Sequence, residues 1–275
     1  MIITEPGIYK GLSIEDYHKS EGISNSGIGL IIPPNCPKLY WHQYLSGNYV
    51  KAESEGMTIG SAVHTLALEP HRFDELYFVI SNFDRRTTAG KEGYAASLLE
   101  AGGRALLNDS QFKQAKAMAE SITSHRLFKN LRGDGHVEDS IAWIDDESGA
   151  LLRARPDFYN DSIIMDIKTT RDVRRHSFSK AIHDYGYHRQ GAMACDGLSK
   201  ATGRKYENVV LFLVSDEPYL TKAYVLSTEA LEMGRFQYKE GAQLYQECLK
   251  SNNWPGYDEA IEEIDLPSWA YHEFY

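Results

Sequence analysis

Arg155-Pro156-Asp157, followed by Ile163-Ile164-Met165-Asp166-Ile167-Lys168-Thr169-Thr170, is the stretch that decides how this chain folds. Residues 162–169 read as a β-strand. Side chains alternate faces along a strand, so Asp166 and Lys168 project together while Ile167 turns into the core. Charges placed directly after the apolar run Ile163-Ile164-Met165 are costly unless they serve a site. Asp157 ends the preceding strand. If the two strands are neighbours, its carboxylate meets that of Asp166 at a spacing suited to one or two hard cations. Carboxylate oxygens, water and a backbone carbonyl such as that of Ile167 are the ligands magnesium prefers. Lys168 then stands where an ammonium can orient or help deprotonate an attacking water, or offset negative charge as it develops.

Outward from this strand, Asp145-Asp146-Glu147-Ser148-Gly149 has the composition of a turn. Ser140 to Ile144 and Leu151 to Tyr159 on either side of it read as a hairpin. Further strands are expected over Asn208 to Ser215 and Thr221 to Leu226. Helices are expected over Met57 to Leu68, closed by Glu69-Pro70, and over Gly90 to Ala101, Ser110 to Leu131, His176 to Ala201 and Thr228 to Leu249. Residues 1–56 read as loop-rich, with Pro33-Pro34 and Pro37 as breakers. Ser24-Asn25-Ser26 caps a short helix over Gly27 to Ile32. Strands in the middle with helices on either side predict an α/β fold with a central mixed β-sheet flanked by helices. The 275 residues carry no repeat and no low-complexity linker, so a single domain over 1–275 is expected.

Composition narrows the function classes. No run is long and apolar enough to cross a bilayer, and Met1 to Lys10 lacks a basic leader before an apolar segment, so a cytoplasmic protein without a membrane partner is expected. Cys36, Cys195 and Cys248 are odd in number and far apart, which excludes a disulfide framework, a four-cysteine metal site and a cysteine-ligated iron–sulfur cluster. The net charge of -10 opposes general nucleic-acid binding. Basic residues nevertheless cluster at Arg85-Arg86, Arg153 with Arg155, and Arg171 to Arg175, while Asp258 to Asp265 is acidic. That segregation suits a protein that handles DNA in one cleft and repels it elsewhere.

Two further elements bear on the site. Gly60 and His64 lie four apart on the small-residue helix, so the glycine permits close approach and the imidazole points the same way. Glu138, in Gly135-His136-Val137-Glu138, enters the hairpin and is a candidate further carboxylate. In order, Gly60 to His64, Glu138, Arg155-Pro156-Asp157, Asp166 to Thr170 and Tyr187-His188-Arg189-Gln190 resemble the motifs of RecB-like PD-(D/E)XK nucleases. The resemblance is closer to the RecE-type exonucleases. It extends from Gly7-Ile8-Tyr9 and Tyr17-His18, through Asn82 to Thr87 with Ala89-Gly90-Lys91, to Trp254-Pro255 and Leu266 to Ala270.

The resemblance implies a PD-(D/E)XK nuclease fold and a magnesium-dependent 5'-to-3' exonuclease, with manganese able to substitute. Such an enzyme acts on double-stranded DNA ends and leaves 3' single-stranded tails for a single-strand annealing protein of the RecT type. It also implies a homo-oligomeric ring of three or four subunits. Carried onto this sequence, Asp157, Asp166, the Ile167 carbonyl and His64 bind metal, Lys168 is catalytic, and Gln190 with Tyr187 supports the site. The RecB-like pattern often has a tyrosine four residues after the glutamine. Here that position is Ala194, and Tyr187 is the aromatic available to replace it. Arg85, Arg86 and Lys91 are candidate DNA contacts. Tyr40-Trp41 and Trp269 to Tyr275 are candidate aromatic patches for the ring. Two other readings use the same residues: an endonuclease of the same superfamily, and a catalytically idle DNA-binding module.

Overall fold

The computed structural model describes residues 1–49 and 55–271. Its centre is a five-stranded mixed sheet in the order Thr221–Val225, Val209–Ser215, Ile164–Thr170, Phe158–Tyr159, His136–Val137. The Ile164–Thr170 strand runs parallel to Val209–Ser215, with Asp166 opposite Leu211, and antiparallel to Phe158–Tyr159. A three-stranded antiparallel sheet, Gly7–Tyr9, Ser140–Ile144 and Leu151–Ala154, lies beside it. Tyr77–Ile80 and Ala105–Asn108 form a separate parallel pair.

Both faces of the central sheet are covered, which is why Val209–Ser215 is apolar at nearly every position. Val210, Phe212 and Val214 join Met165 and Ile167 in one core, with Val63 of helix Glu55–Leu68 and Met118 of helix Asp109–Ser124. Val209, Leu211 and Leu213 join Ile164 in another, against Ala192 of helix Tyr187–Thr202 and Leu231 of helix Thr228–Ser251. Ile167 is buried in the first core, so Asp166 and Lys168 emerge on the second face. The α/β fold with a mixed sheet between helices is the one expected.

Three expected elements are divided, each for a local reason. Leu151 to Tyr159 is two strands, because Pro156 lacks an N–H and the chain passes from the three-stranded sheet to the central one between Ala154 and Phe158. His176 to Ala201 is two helices, Arg175–Asp184 and Tyr187–Thr202, separated at Gly186 with φ of +64°. Ser110 to Leu131 becomes Asp109–Ser124 and Arg126–Leu131, broken at His125, whose backbone is extended and whose ring accepts from Leu127 N at 3.2 Å. The segment expected to be loop-rich holds more order than its composition suggests. Ser13 caps helix Ile14–Lys19 and Ser24 caps helix Asn25–Ile31 through Gly27 N.

The aromatic pair Tyr40-Trp41 is not a single patch. Tyr40 is buried, stacked on Tyr44 and Trp254, and only Trp41 faces solvent. In the other candidate patch, residues 272–275 and the Trp269 side chain lie outside the described residues. The three cysteines are buried thiols, and among the described residues no helix is long and apolar enough to cross a membrane.

The last long helix packs tightly on the Tyr187–Thr202 helix through Gly234, where an added Cβ would lie 2.5 Å from the His188 carbonyl oxygen and 2.8 Å from Arg189 Cα. Both obstacles are backbone, so a side chain there must push the helices apart. Gly234→Ala should therefore destabilise the protein by about 1–3 kcal/mol, read as a lower urea midpoint at unchanged m-value. An unchanged midpoint would show that the helices are not held at this separation.

Candidate active site

The crossing between the sheets carries Asp157, and the antiparallel ladder on that edge of the Ile164–Thr170 strand ends at Met165 paired with Phe158. Beyond it Ile167 has no strand partner on that side, and its N–H donates to Asp157 Oδ2 at 2.6 Å. A residue's N–H and C=O face the same edge of a strand. The Ile167 carbonyl therefore points toward the same gap. Asp157 Oδ2 also meets His64 Nδ1 at 3.2 Å, so the helix on one face of the sheet reaches through the break in it. Gly60, one turn earlier, lies over Thr169: an added Cβ would sit 3.4 Å from its Oγ1, a contact at the limit of ordinary packing.

Asp166 is 5% exposed and forms an ion pair with Lys168. Gln190 secures both: Lys168 Nζ donates to its Oε1 at 3.2 Å, and its Nε2 donates to Asp166 Oδ1 at 3.3 Å. Tyr187, one turn before Gln190, places its ring 4.6 Å from Lys168 Nζ, a cation–π contact. The tyrosine therefore reaches the site from this position, while Ala194 is a buried part of the cavity wall.

Electrostatics divides the two carboxylates. Burial pushes Asp166 up, the neighbouring Asp157 charge adds to it, and Lys168 only partly offsets them, leaving its pKa at about 7. Asp157 is held below the usual carboxylate range, because the charges of His64 and Lys168 and the bonds from His64 and Ile167 outweigh burial. Burial acts against the charged forms of His64 and Lys168 too, but Asp157 in the first case and Asp166 in the second raise them.

Glu138 has φ of +51°, and its N–H donates to the Asp157 carbonyl at 3.1 Å. Its carboxylate receives Arg155 Nη2 at 2.8 Å, so it enters the site already paired with a cation. Arg155 also donates to the Leu12 carbonyl at 2.7 Å. Arg85, Arg86 and Lys91 are not brought to this place. All three are exposed on the segment that leads into and begins helix Thr88–Ala101, with Arg86 paired to Asp84 at 3.0 Å and Arg85 over the Tyr94 ring.

His64, Glu138, Asp157, Asp166, Tyr187 and Gln190 share a cavity of about 300 Å³, and Tyr17, His18, Ser24, Asn25, Ser26 and Arg153 are among its other lining residues. The sequence carried a signal for these in the serine cap and in Arg153, whose burial is provided for by the Gly22 and Tyr17 carbonyls.

Whether the site suits a divalent cation can be judged from its own groups. Two carboxylates held close together, with burial and mutual repulsion raising the pKa of one, form a place of excess negative charge. A carbonyl faces the same gap, and all these donors are hard oxygens. Among the described residues no three His, Cys, Asp or Glu side chains converge as a ready metal cage.

Comparison with known proteins agrees with the fold. Residues 34–267 match the family described as a PDDEXK-like domain of unknown function. A Eubacterium rectale protein with a provisional exonuclease name has a similar structure, with a TM-score of 0.62, 15% identity, and coverage of 94% of this chain and 97% of its own. The alkaline exonuclease LHK-Exo of Laribacter hongkongensis aligns at a TM-score of 0.30 and 13% identity over 60% of this chain and 86% of its own, too loosely to carry an argument. No curated protein matches in sequence.

The raised Asp166 pKa has a consequence for metal-free protein. An unfolded aspartate loses its proton near its ordinary value of 3.8, whereas burial and the Asp157 charge raise the folded one to about 7. Between those values the native state binds more protons than the unfolded state, so this group's contribution to stability falls as pH rises. Thermal unfolding in chelator should show Asp166→Asn gaining on the parent protein from pH 4 to pH 7. Parallel curves for the two proteins would contradict the raised pKa.

Proposed function

The chain belongs to the PDDEXK-like family, and we propose that it is a magnesium-dependent exonuclease that hydrolyses DNA from its ends. The observation that carries this reading is the convergence of Asp157, Asp166 and Gln190 on one cavity, with Lys168 held beside it by Asp166 and Gln190, and the Ile167 carbonyl on the strand edge that meets Asp157. Asp157, Asp166 and the Ile167 carbonyl would hold the cation, and His64, now occupied with Asp157, is the fourth candidate. When bound, the ion offsets charge on the phosphate and makes a water acidic enough to attack.

The chain's own residues supply the rest. Lys168, kept charged by its two acidic neighbours, donates toward the attacked phosphate or its water. Gln190 fixes the direction of the ammonium and of Asp166 together, and Tyr187 covers the other side of the ammonium. Arg155 holds Glu138 and keeps that carboxylate from competing with the phosphate. Ser24, Asn25 and Ser26 offer donors in the same cavity, where the substrate backbone would lie.

Lys168→Ala should fold normally and lose on the order of 100-fold or more in cleavage rate, as loss of one principal electrostatic group does. Magnesium and manganese should support the parent enzyme, and calcium should bind with little turnover because of its looser geometry. Parental cleavage by Lys168→Ala would overturn the assignment of the site.

The finer reading is a 5'-to-3' exonuclease on linear duplex that leaves 3' tails for an annealing protein, and it rests on resemblance joined to charge. A monomer of net charge -10 holds DNA weakly at physiological salt. A closed ring of identical subunits would keep it on the strand topologically, with exposed Trp41 as one available contact. Mass in solution should correspond to three or four subunits. A 5' label on linear duplex should be lost first, digestion should continue after competitor DNA is added, and closed circular duplex should survive. Cleavage of the circle would favour the endonuclease reading. A monomer that releases its substrate after a few nucleotides would contradict the ring.

A further inference from the structure

Arg189 lies between Tyr187 and Gln190 in sequence yet does not line the cavity. It is 8% exposed, and its partners are neutral: Nε donates to Asn25 Oδ1 at 2.7 Å, Nη2 to the Asn25 carbonyl at 3.5 Å, and Nη1 to Gln237 Oε1 at 3.4 Å. Among the described residues no acidic side chain pairs with it. Burial alone lowers its pKa, to about 10. The chain has also given up side chains to admit the guanidinium. A Cβ on Gly186 would lie 2.4 Å from Nη2, and one on Gly29 would lie 2.8 Å from it.

A buried charge without a countercharge is a poor stability device, since apolar replacements of similar volume are often neutral or stabilising. What this guanidinium does hold is Asn25. Asn25 lines the cavity together with Asp157 and Asp166, and the helix that carries Arg189 also carries Gln190, which secures Lys168 and Asp166. We propose that Arg189 is a positioning residue: it ties the Asn25 wall to the Gln190 helix and so sets the distance between the bound backbone and the Lys168–Asp166 pair. This rests on the nuclease reading of the site.

The test is Arg189→Met, which keeps volume and removes the charge and the fork. The unfolding midpoint should hold or rise, while kcat on linear duplex falls roughly 10- to 100-fold, the scale on which small displacements of reacting groups act. KM should stay within about twofold. Asn25→Ala should produce a similar fall, and the double variant no further one, because residues acting as one unit are not additive. Crystal structures add a readout that needs no turnover: Gln190 Oε1 should leave its 3.2 Å contact with Lys168 in Arg189→Met. If the parent enzyme proves inactive the nuclease reading fails by itself, and the position of Gln190 still decides the role of Arg189. A folded Arg189→Met with parental kcat, or with Gln190 unmoved, overturns the proposal. Should the methionine variant not fold, Arg189→Lys decides: it keeps the charge without the fork, and parental kcat in it is equally contrary.

Discussion

Two carboxylates that repel each other are held at a break between two sheets, and most of the site follows from how that repulsion is managed. Asp166 is fixed by its place on a strand with both faces covered, and Asp157 by the crossing that Pro156 makes necessary. Neither can move away without disturbing a core. The protein meets the strain with cations and donors on every side: His64 and Ile167 N on Asp157, Lys168 and Gln190 on Asp166. What remains uncompensated raises the pKa of Asp166, and a divalent cation would relieve it.

The layers of the fold serve this arrangement. His64 comes from the helices on one face, Gln190 and Tyr187 from those on the other, and the short Phe158–Tyr159 strand leaves open the edge through which His64 reaches Asp157. A longer strand there would pair with Ile167 and close the gap. The last helix comes close to the backbone of the Gln190 helix at Gly234, where an added Cβ would meet His188 and Arg189.

Much of this was legible in the sequence because strand alternation is a strong constraint. Asp166 and Lys168 could be placed on one face and Ile167 in a core from their spacing alone, and the turn at Asp145 to Gly149 fixed the hairpin. The divided elements were harder to read. Pro156 and Gly186 both carried the signal that ends a strand or a helix, but the apolar pattern continues past each of them. The part of the cavity lined by Asn25 was legible only as a helix cap and a basic pair, since its placement depends on contacts such as Arg153 to Gly22 and Arg189 to Asn25, far apart in sequence. Local composition says only that such a segment is rich in turn residues. Glu138 was found as a carboxylate of the site, but its pairing with Arg155 needed the three-dimensional arrangement.

The central claim is that Asp157, Asp166 and the Ile167 carbonyl form a cation site. Anomalous diffraction from crystals soaked in manganese tests it most directly. A single strong peak within coordination distance of both carboxylates and the Ile167 oxygen, absent in Asp166→Asn, is the predicted result. No peak at that position, or one that persists in Asp166→Asn, would contradict the account.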